Sequence, residues 1–133
     1  SNNEVPDSVV ILPKNPDESA KKLFKKIYKK LGVKVGIVIT DTFGRPWRLG
    51  QVNVAIGIAG IPATIKEIGN HDAWGHELRV TEPAFADELA AASGLLMKKA
   101  AKTPLIFIRG LKWEFKNSKT SDIIRKKEED MFR

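Results

Sequence analysis

The chain has 133 residues, 42% of them hydrophobic, which is enough for one domain with a real core. It has no cysteine, so disulfide frameworks and thiolate metal centres are excluded, and no apolar run approaches the roughly 20 residues of a membrane-spanning helix. A formal net charge of +7 favours anionic partners, whether nucleotide, nucleic acid or acidic lipid.

The opening, Ser1-Asn2-Asn3-Glu4-Val5-Pro6, lacks the basic and apolar regions of a signal peptide. Together with the absence of cysteine this points to the cytoplasm. The missing initiator Met implies processing or a cut from a longer chain, and Ser1-Asn2 can equally be left by removal of a tag. Residues 9–12 are apolar and predict a short strand. Asn15-Pro16-Asp17-Glu18 then reads as a helix start, with Asn15 as cap, Pro16 at the first helical position and Glu18 placed for a capping box. Ala20, Leu23, Phe24, Ile27, Tyr28 and Leu31 follow at helical spacing, and Gly32 ends the helix. Its remaining faces are lysine-rich. They read as a solvated surface in preference to an anion-binding one, and this crowding of lysines onto one helix argues against nucleic acid.

Residues 35–40 form a β-branched run without alternation, which predicts a strand buried on both faces. At its carboxyl end come Asp41, Thr42, the turn formers Gly44 and Pro46, and the guanidinium groups of Arg45 and Arg48. Ligands of open α/β sheets gather beyond such strand ends, so a hard cation and an anionic substrate are the functional reading. An Asp capping a turn beside two solvated arginines is the structural alternative. Residues 52–59 predict a strand closely approached by another element, broken by Gly60-Ile61-Pro62.

Residues 63–77 are ambiguous and hold both histidines. Asp72, His76 and Glu77 invite a metal reading, but His71 and His76 at i and i+5 in a loop are poorly spaced for it, so structural roles are expected. Thr81, with Glu82 and Pro83, predicts the cap of a second helix running to about Ala101, with Phe85, Leu89, Ala92 and Leu96 on one face. Gly94 inside it costs roughly 1 kcal/mol unless packing needs it. Residues 104–108 predict another buried strand. Residues 112–119 form a basic, partly aromatic connector before a final helix from Asp122 to about Met131. The fold class is α+β (or α/β), with a mixed sheet and about three helices. It reads as one domain over residues 1–133, in which 112–133 are the basic connector and closing helix.

Asp41-Thr42-Phe43-Gly44-Arg45-Pro46-Trp47-Arg48 resembles the signature of the GTP-dependent coenzyme F420-0:γ-glutamyl ligases. So do, in order, Val54-Ala55-Ile56-Gly57-Ile58-Ala59-Gly60-Ile61 and Asp72-Ala73-Trp74-Gly75-His76-Glu77-Leu78. Ala86-Asp87-Glu88-Leu89-Ala90-Ala91-Ala92, Ile108-Arg109-Gly110-Leu111 and Glu128-Glu129-Asp130-Met131-Phe132-Arg133 continue the likeness over nearly the whole chain.

The resemblance implies the carboxyl-terminal part of a larger ligase, a homodimer that activates the deazaflavin precursor as an acyl phosphate and joins it to L-glutamate. Asp41 and Thr42 would hold a divalent metal (Mn2+ or Mg2+), with K+ as a further cofactor and GTP as co-substrate. Met97, Lys98, Lys99, Ala100, Ala101, Lys102, Thr103 and Pro104 fall at the family's nucleotide-binding segment. Some members have a metal-binding Gln where Lys99 stands; an ammonium cannot ligate a cation, so either the second metal is lost or Lys99 pairs with phosphate directly. Asn2 would be a nucleotide contact if Ser1-Asn2 ends an Asp-x-Ser-Asn motif whose Asp lies upstream. Arg45, Arg48 and Glu77 are the substrate-binding candidates. This stretch alone is expected to turn over little or nothing. The competing reading is a non-catalytic basic module for RNA or an acidic protein, built around Trp113 and Phe115 beside Lys112 and Lys116.

Overall fold

The computed structural model describes residues 7–130. Helix α1 spans Pro16–Leu31 and starts as its local chemistry asks: the Asn15 side chain accepts the Glu18 N–H at 3.0 Å and Pro16 opens the first turn. Asp17 and Glu18 sit at its positive end and Lys29 and Lys30 at its negative end. Gly32 closes it with φ 70°, a left-handed conformation that Gly adopts without a Cβ clash.

Strands β1 (Ile37–Arg45) and β2 (Arg48–Ala59) form an antiparallel hairpin, the one sheet among the described residues. Val38 faces Ile58, Asp41 faces Val54 and Thr42 faces Asn53. The register slips between Ile39 and Thr40, where an extra residue of β2 is accommodated, and again at the turn end. The two strands therefore take in residues 41–45 and 48–51, which the sequence places beyond a strand, and leave Pro46 and Trp47 as the turn. Helix α2 (Phe85–Met97) lies across β2. Its Phe85, Ala86 and Ala90 make the core with Ala55, Ile58, Ile61 and Ala63, and Val38, Ile65, Leu89 and Ile123 lie at its margin. The carboxylates of both helices' first turns reach β2: Asp87 accepts the Ala55 N–H and Asp17 the Ile58 N–H, each at 2.9 Å.

The α+β class holds, with two α-helices and two single-turn 3-10 segments, Thr120–Asp122 and Lys127–Glu129, among the described residues. Several expected elements differ. The run 35–40 is half-buried and, among the described residues, its strand has a single neighbour strand. Thr81 does not cap α2; its backbone carbonyl accepts the Glu67 N–H instead, and the helix begins after Ala84 without a side-chain cap. The inward face of α2 is Phe85, Ala86, Ala90 and Ser93, while Ala92 and Leu96 are exposed. Lys98, at φ 42°, turns the chain out of the helix short of Ala101. The closing helix is replaced by the two 3-10 segments, since residues 125–130 are all charged and offer no apolar stripe to bury. Met131 lies outside the described residues.

Residues 9–12 and 104–108, expected as strands, belong to no strand. Val9 is 78% exposed, Leu105 82% and Phe107 68%. Contiguous apolar surface of this kind binds hydrophobic probes and other chains. The isolated chain is therefore expected to enhance ANS fluorescence and to self-associate with rising concentration in sedimentation runs. Leu105→Lys with Phe107→Lys lowers both signals while helical circular dichroism is retained; unchanged dye binding would mean that these segments are covered in solution.

Candidate nucleotide and metal site

An open cavity of about 1280 Å3 lies between the β1–β2 hairpin and the C-terminal end of α2. Thr40, Asp41 and Thr42 of β1 and Gln51, Val52 and Asn53 of β2 form one side. Met97, Lys98, Lys99, Lys102, Thr103 and Pro104 form the other, with α2 residues between. The positive φ values of Lys98 (42°) and Lys102 (51°) fold this lysine-rich segment back over the hairpin. As a result Lys99 Nζ donates to Thr42 Oγ1 at 2.9 Å across 57 residues of sequence. The Thr42 hydroxyl donates to Asn53 Oδ1 at 3.4 Å, and Asn53 Nδ2 donates to Met97 Sδ at 3.7 Å. Asp41 Oδ1 accepts the Thr42 N–H at 2.7 Å, which leaves the second carboxylate oxygen for other partners.

The cavity wall carries the Asp41 carboxylate against the ammonium groups of Lys98, Lys99 and Lys102. Such a wall attracts a polyanion. No cluster of three or more His, Cys, Asp or Glu side chains suited to a metal occurs among the described residues. A cation here would draw on oxygen donors, namely Asp41, the Thr40 and Thr42 hydroxyls and a phosphate ligand. That donor set suits Mg2+ or Mn2+, which bind through few carboxylates plus substrate phosphates.

The sequence-predicted residues divide. Asp41, Thr42, Met97, Lys98, Lys99, Lys102, Thr103 and Pro104 meet in this one cavity. Ala100 and Ala101 belong to the same segment but do not line it; the Ala101 carbonyl accepts the Thr103 hydroxyl at 3.0 Å. Arg45 and Arg48 face each other at the hairpin end, outside the lining, and Arg45 Nη2 donates to the Leu49 carbonyl at 3.4 Å. Glu77 is exposed and forms an isolated antiparallel backbone bridge with His71 in a separate loop. Asn2 lies outside the described residues. Asn53 and Gln51 join the site without having been singled out. The signal for them was the turn at Pro46: folding the hairpin there brings Asn53 opposite Thr42.

The other polar clusters are occupied with structure. Asp72 Oδ1 accepts the N–H groups of Trp74 (2.9 Å) and His76 (2.8 Å), and Oδ2 faces His76 Nδ1 at 3.3 Å. The His76 N–H, above all, holds the Asp72 carboxyl below the usual carboxylate range. The Trp113 indole N–H donates to the Gly60 carbonyl at 3.0 Å with its ring 6.4 Å from Phe85, and Phe115 packs on Phe24 at 5.4 Å. Both aromatics thus take part in the packing, although each remains partly exposed.

Residues 1–110 match the family model described as F420-0:Gamma-glutamyl ligase. The chain belongs to this family. It is 49% identical over 126 residues to the coenzyme F420:L-glutamate ligase of Methanocaldococcus jannaschii, covering 94% of this chain and 51% of that protein. The protein of the same name from Methanopyrus kandleri is 42% identical over 136 residues, covering 98% and 54%. That from Methanothermobacter thermautotrophicus is 39% identical over 125 residues, covering 92% and 50%. The chain thus spans about half the length of these curated relatives. No helix among its described residues is long and apolar enough to cross a membrane.

Proposed function

We propose that this chain is part of a cytoplasmic, GTP-dependent ligase that joins L-glutamate to coenzyme F420-0 in coenzyme F420 biosynthesis. The observation that carries this reading is the meeting of Asp41 and Thr42 with Lys98, Lys99 and Lys102 in one cavity. A carboxylate with hydroxyls for a cation, set against ammonium groups for phosphate, is what a triphosphate with its metal requires. Mn2+ or Mg2+, when bound, would screen the phosphate charges. The lysines would align the γ-phosphoryl group for attack by the precursor carboxylate; GDP departs and an acyl phosphate forms. The glutamate α-amine then attacks the acyl carbon, and inorganic phosphate leaves with the former carboxylate oxygen. Arg45, Arg48 and Glu77 are proposed for the substrates' charged groups. The exposed apolar segments support a homodimer.

Calorimetric titration with GTP, with and without Mn(II), tests the binding half of this reading. GTP binds with Mn(II), and Asp41→Ala abolishes the metal-dependent part. Binding that ignores both metal and Asp41, or that follows random nucleic acid with steep salt dependence, overturns it.

A further inference from the structure

Four groups at the cavity wall form a chain whose polarity is fixed at both ends. An ammonium can only donate and a thioether can only accept. Lys99 therefore donates to Thr42 (2.9 Å), and Met97 receives the Asn53 amide N–H (3.7 Å). With its nitrogen committed to Met97, the Asn53 amide turns its oxygen to Thr42 and accepts the hydroxyl proton at 3.4 Å. The order Lys99 to Thr42 to Asn53 to Met97 is the one direction in which every member is satisfied.

From this we infer that Asn53 is a positioning residue: it draws the Thr42 proton away from the cavity, so that the Thr42 oxygen presents lone pairs alone to what binds there. An oxygen held in that state accepts from an ammonium or a metal ion and repels a phosphate oxygen. Phosphate is then held through Lys99 or through the cation, never by Thr42 itself. Two features show that the amide is placed rather than incidental. Asn53 stands directly opposite Thr42 in the strand register and is half-buried. Gly94 of α2 leaves it room, since a Cβ there would lie 3.2 Å from both Asn53 Cγ and Nδ2. That close approach accounts for a glycine inside a helix.

The identity of the cation rests on the ligase reading above; the hydroxyl orientation does not. Two measurements separate them. In urea unfolding of the unliganded chain, Asn53→Ala shifts the midpoint by a smaller amount in a Thr42→Val background than in the wild type. Equal shifts in the two backgrounds overturn the pairing, whatever the ligand. In Mn(II) titration followed by electron paramagnetic resonance with GTP present, Asn53→Ala weakens Mn(II) binding by about tenfold, the usual scale for a group that orients a metal ligand. Thr42→Val removes that sensitivity. Undiminished Mn(II) affinity in Asn53→Ala overturns the positioning role. Should the wild type bind no Mn(II), the ligase reading falls and the unfolding cycle still judges the orientation. If Asn53→Ala fails to fold, the isosteric Asn53→Asp replaces it. That variant keeps the acceptor and is expected to bind Mn(II) at least as tightly as the wild type; weaker binding overturns the inference.

Discussion

Gly57→Ala is expected to lower the stability of the chain by about 3 kcal/mol or more. A Cβ at this buried strand position would run into the Pro16 carbonyl carbon and stand 2.5 Å from its oxygen. These are backbone atoms of the first turn of α1, so no side chain can rotate aside. The helix must lift off β2, and two things then fail together. The Asp17 bond to the Ile58 N–H opens, and Ala20, fully buried under this contact, meets water. Overpacking of a close-packed site costs about 1–3 kcal/mol and sometimes more. The total stability of a domain is only about 5–15 kcal/mol. A core of few, mostly small residues places this chain toward the lower end. Circular dichroism and urea unfolding of Gly57→Ala beside Gly44→Ala check it, because a Cβ at Gly44 meets nothing within 4 Å. Gly44→Ala stays within about 0.5 kcal/mol of the wild type. If the two variants unfold alike, α1 does not sit on β2 as described.

What could be read in advance follows from how local each signal is. The limits of α1 come from Asn15, Pro16 and Gly32, each acting on its own neighbours, and the structure places the helix between them. The hairpin strands were visible as runs, but their extent was not. Whether Asp41 to Arg45 continue a strand depends on pairing with residues up to Val54, a tertiary fact. The end of α2 lacks a punctuating Gly or Pro before Pro104, so the turn at Lys98 left no mark. Residues 104–108 carry strand composition, yet a strand needs a partner edge, and composition does not say whether one is present.

The site divides along the same line. The sequence marks Asp41 and Thr42 as residues beyond a strand end, whereas the structure sets them inside β1 on the cavity wall. The family resemblance, not the composition, pointed to residues 97–104. Only the fold joins the two, through the contact of Lys99 with Thr42. Asn53 is an ordinary strand residue in the sequence. It becomes informative once the register sets it opposite Thr42 and the helix sets Met97 on its other side.

The second large effect is expected at Asp17, whose carboxylate ties together three distant parts of the chain. It accepts the Ile58 N–H at 2.9 Å, the Thr120 hydroxyl at 2.7 Å and the Thr120 N–H at 3.2 Å. Partial burial pushes its pKa up, but these hydrogen bonds, with Lys21 nearby, outweigh that and hold the carboxyl below its ordinary value. A group whose folded pKa is depressed contributes stability above its unfolded pKa and loses it as pH falls through the folded one. For Asp17 that window lies below about pH 4. Hydrogen bonds to a charged group are worth about 1.5–3 kcal/mol, discounted here because water reaches the carboxylate. Asp17→Asn keeps the shape but replaces one accepting oxygen with a donor, which then faces backbone N–H groups. It is expected to cost about 2 kcal/mol at neutral pH. Urea midpoints of the wild type and Asp17→Asn at pH 7, 5 and 3 check this. The gap between them stays open from pH 7 to 5 and narrows toward pH 3, as the wild-type carboxyl takes up a proton. Other carboxylates, Asp72 among them, lower both curves together, so the difference isolates Asp17. A gap that does not change with pH would mean that the charge of Asp17 plays no part in holding α1, β2 and the Thr120 segment in place.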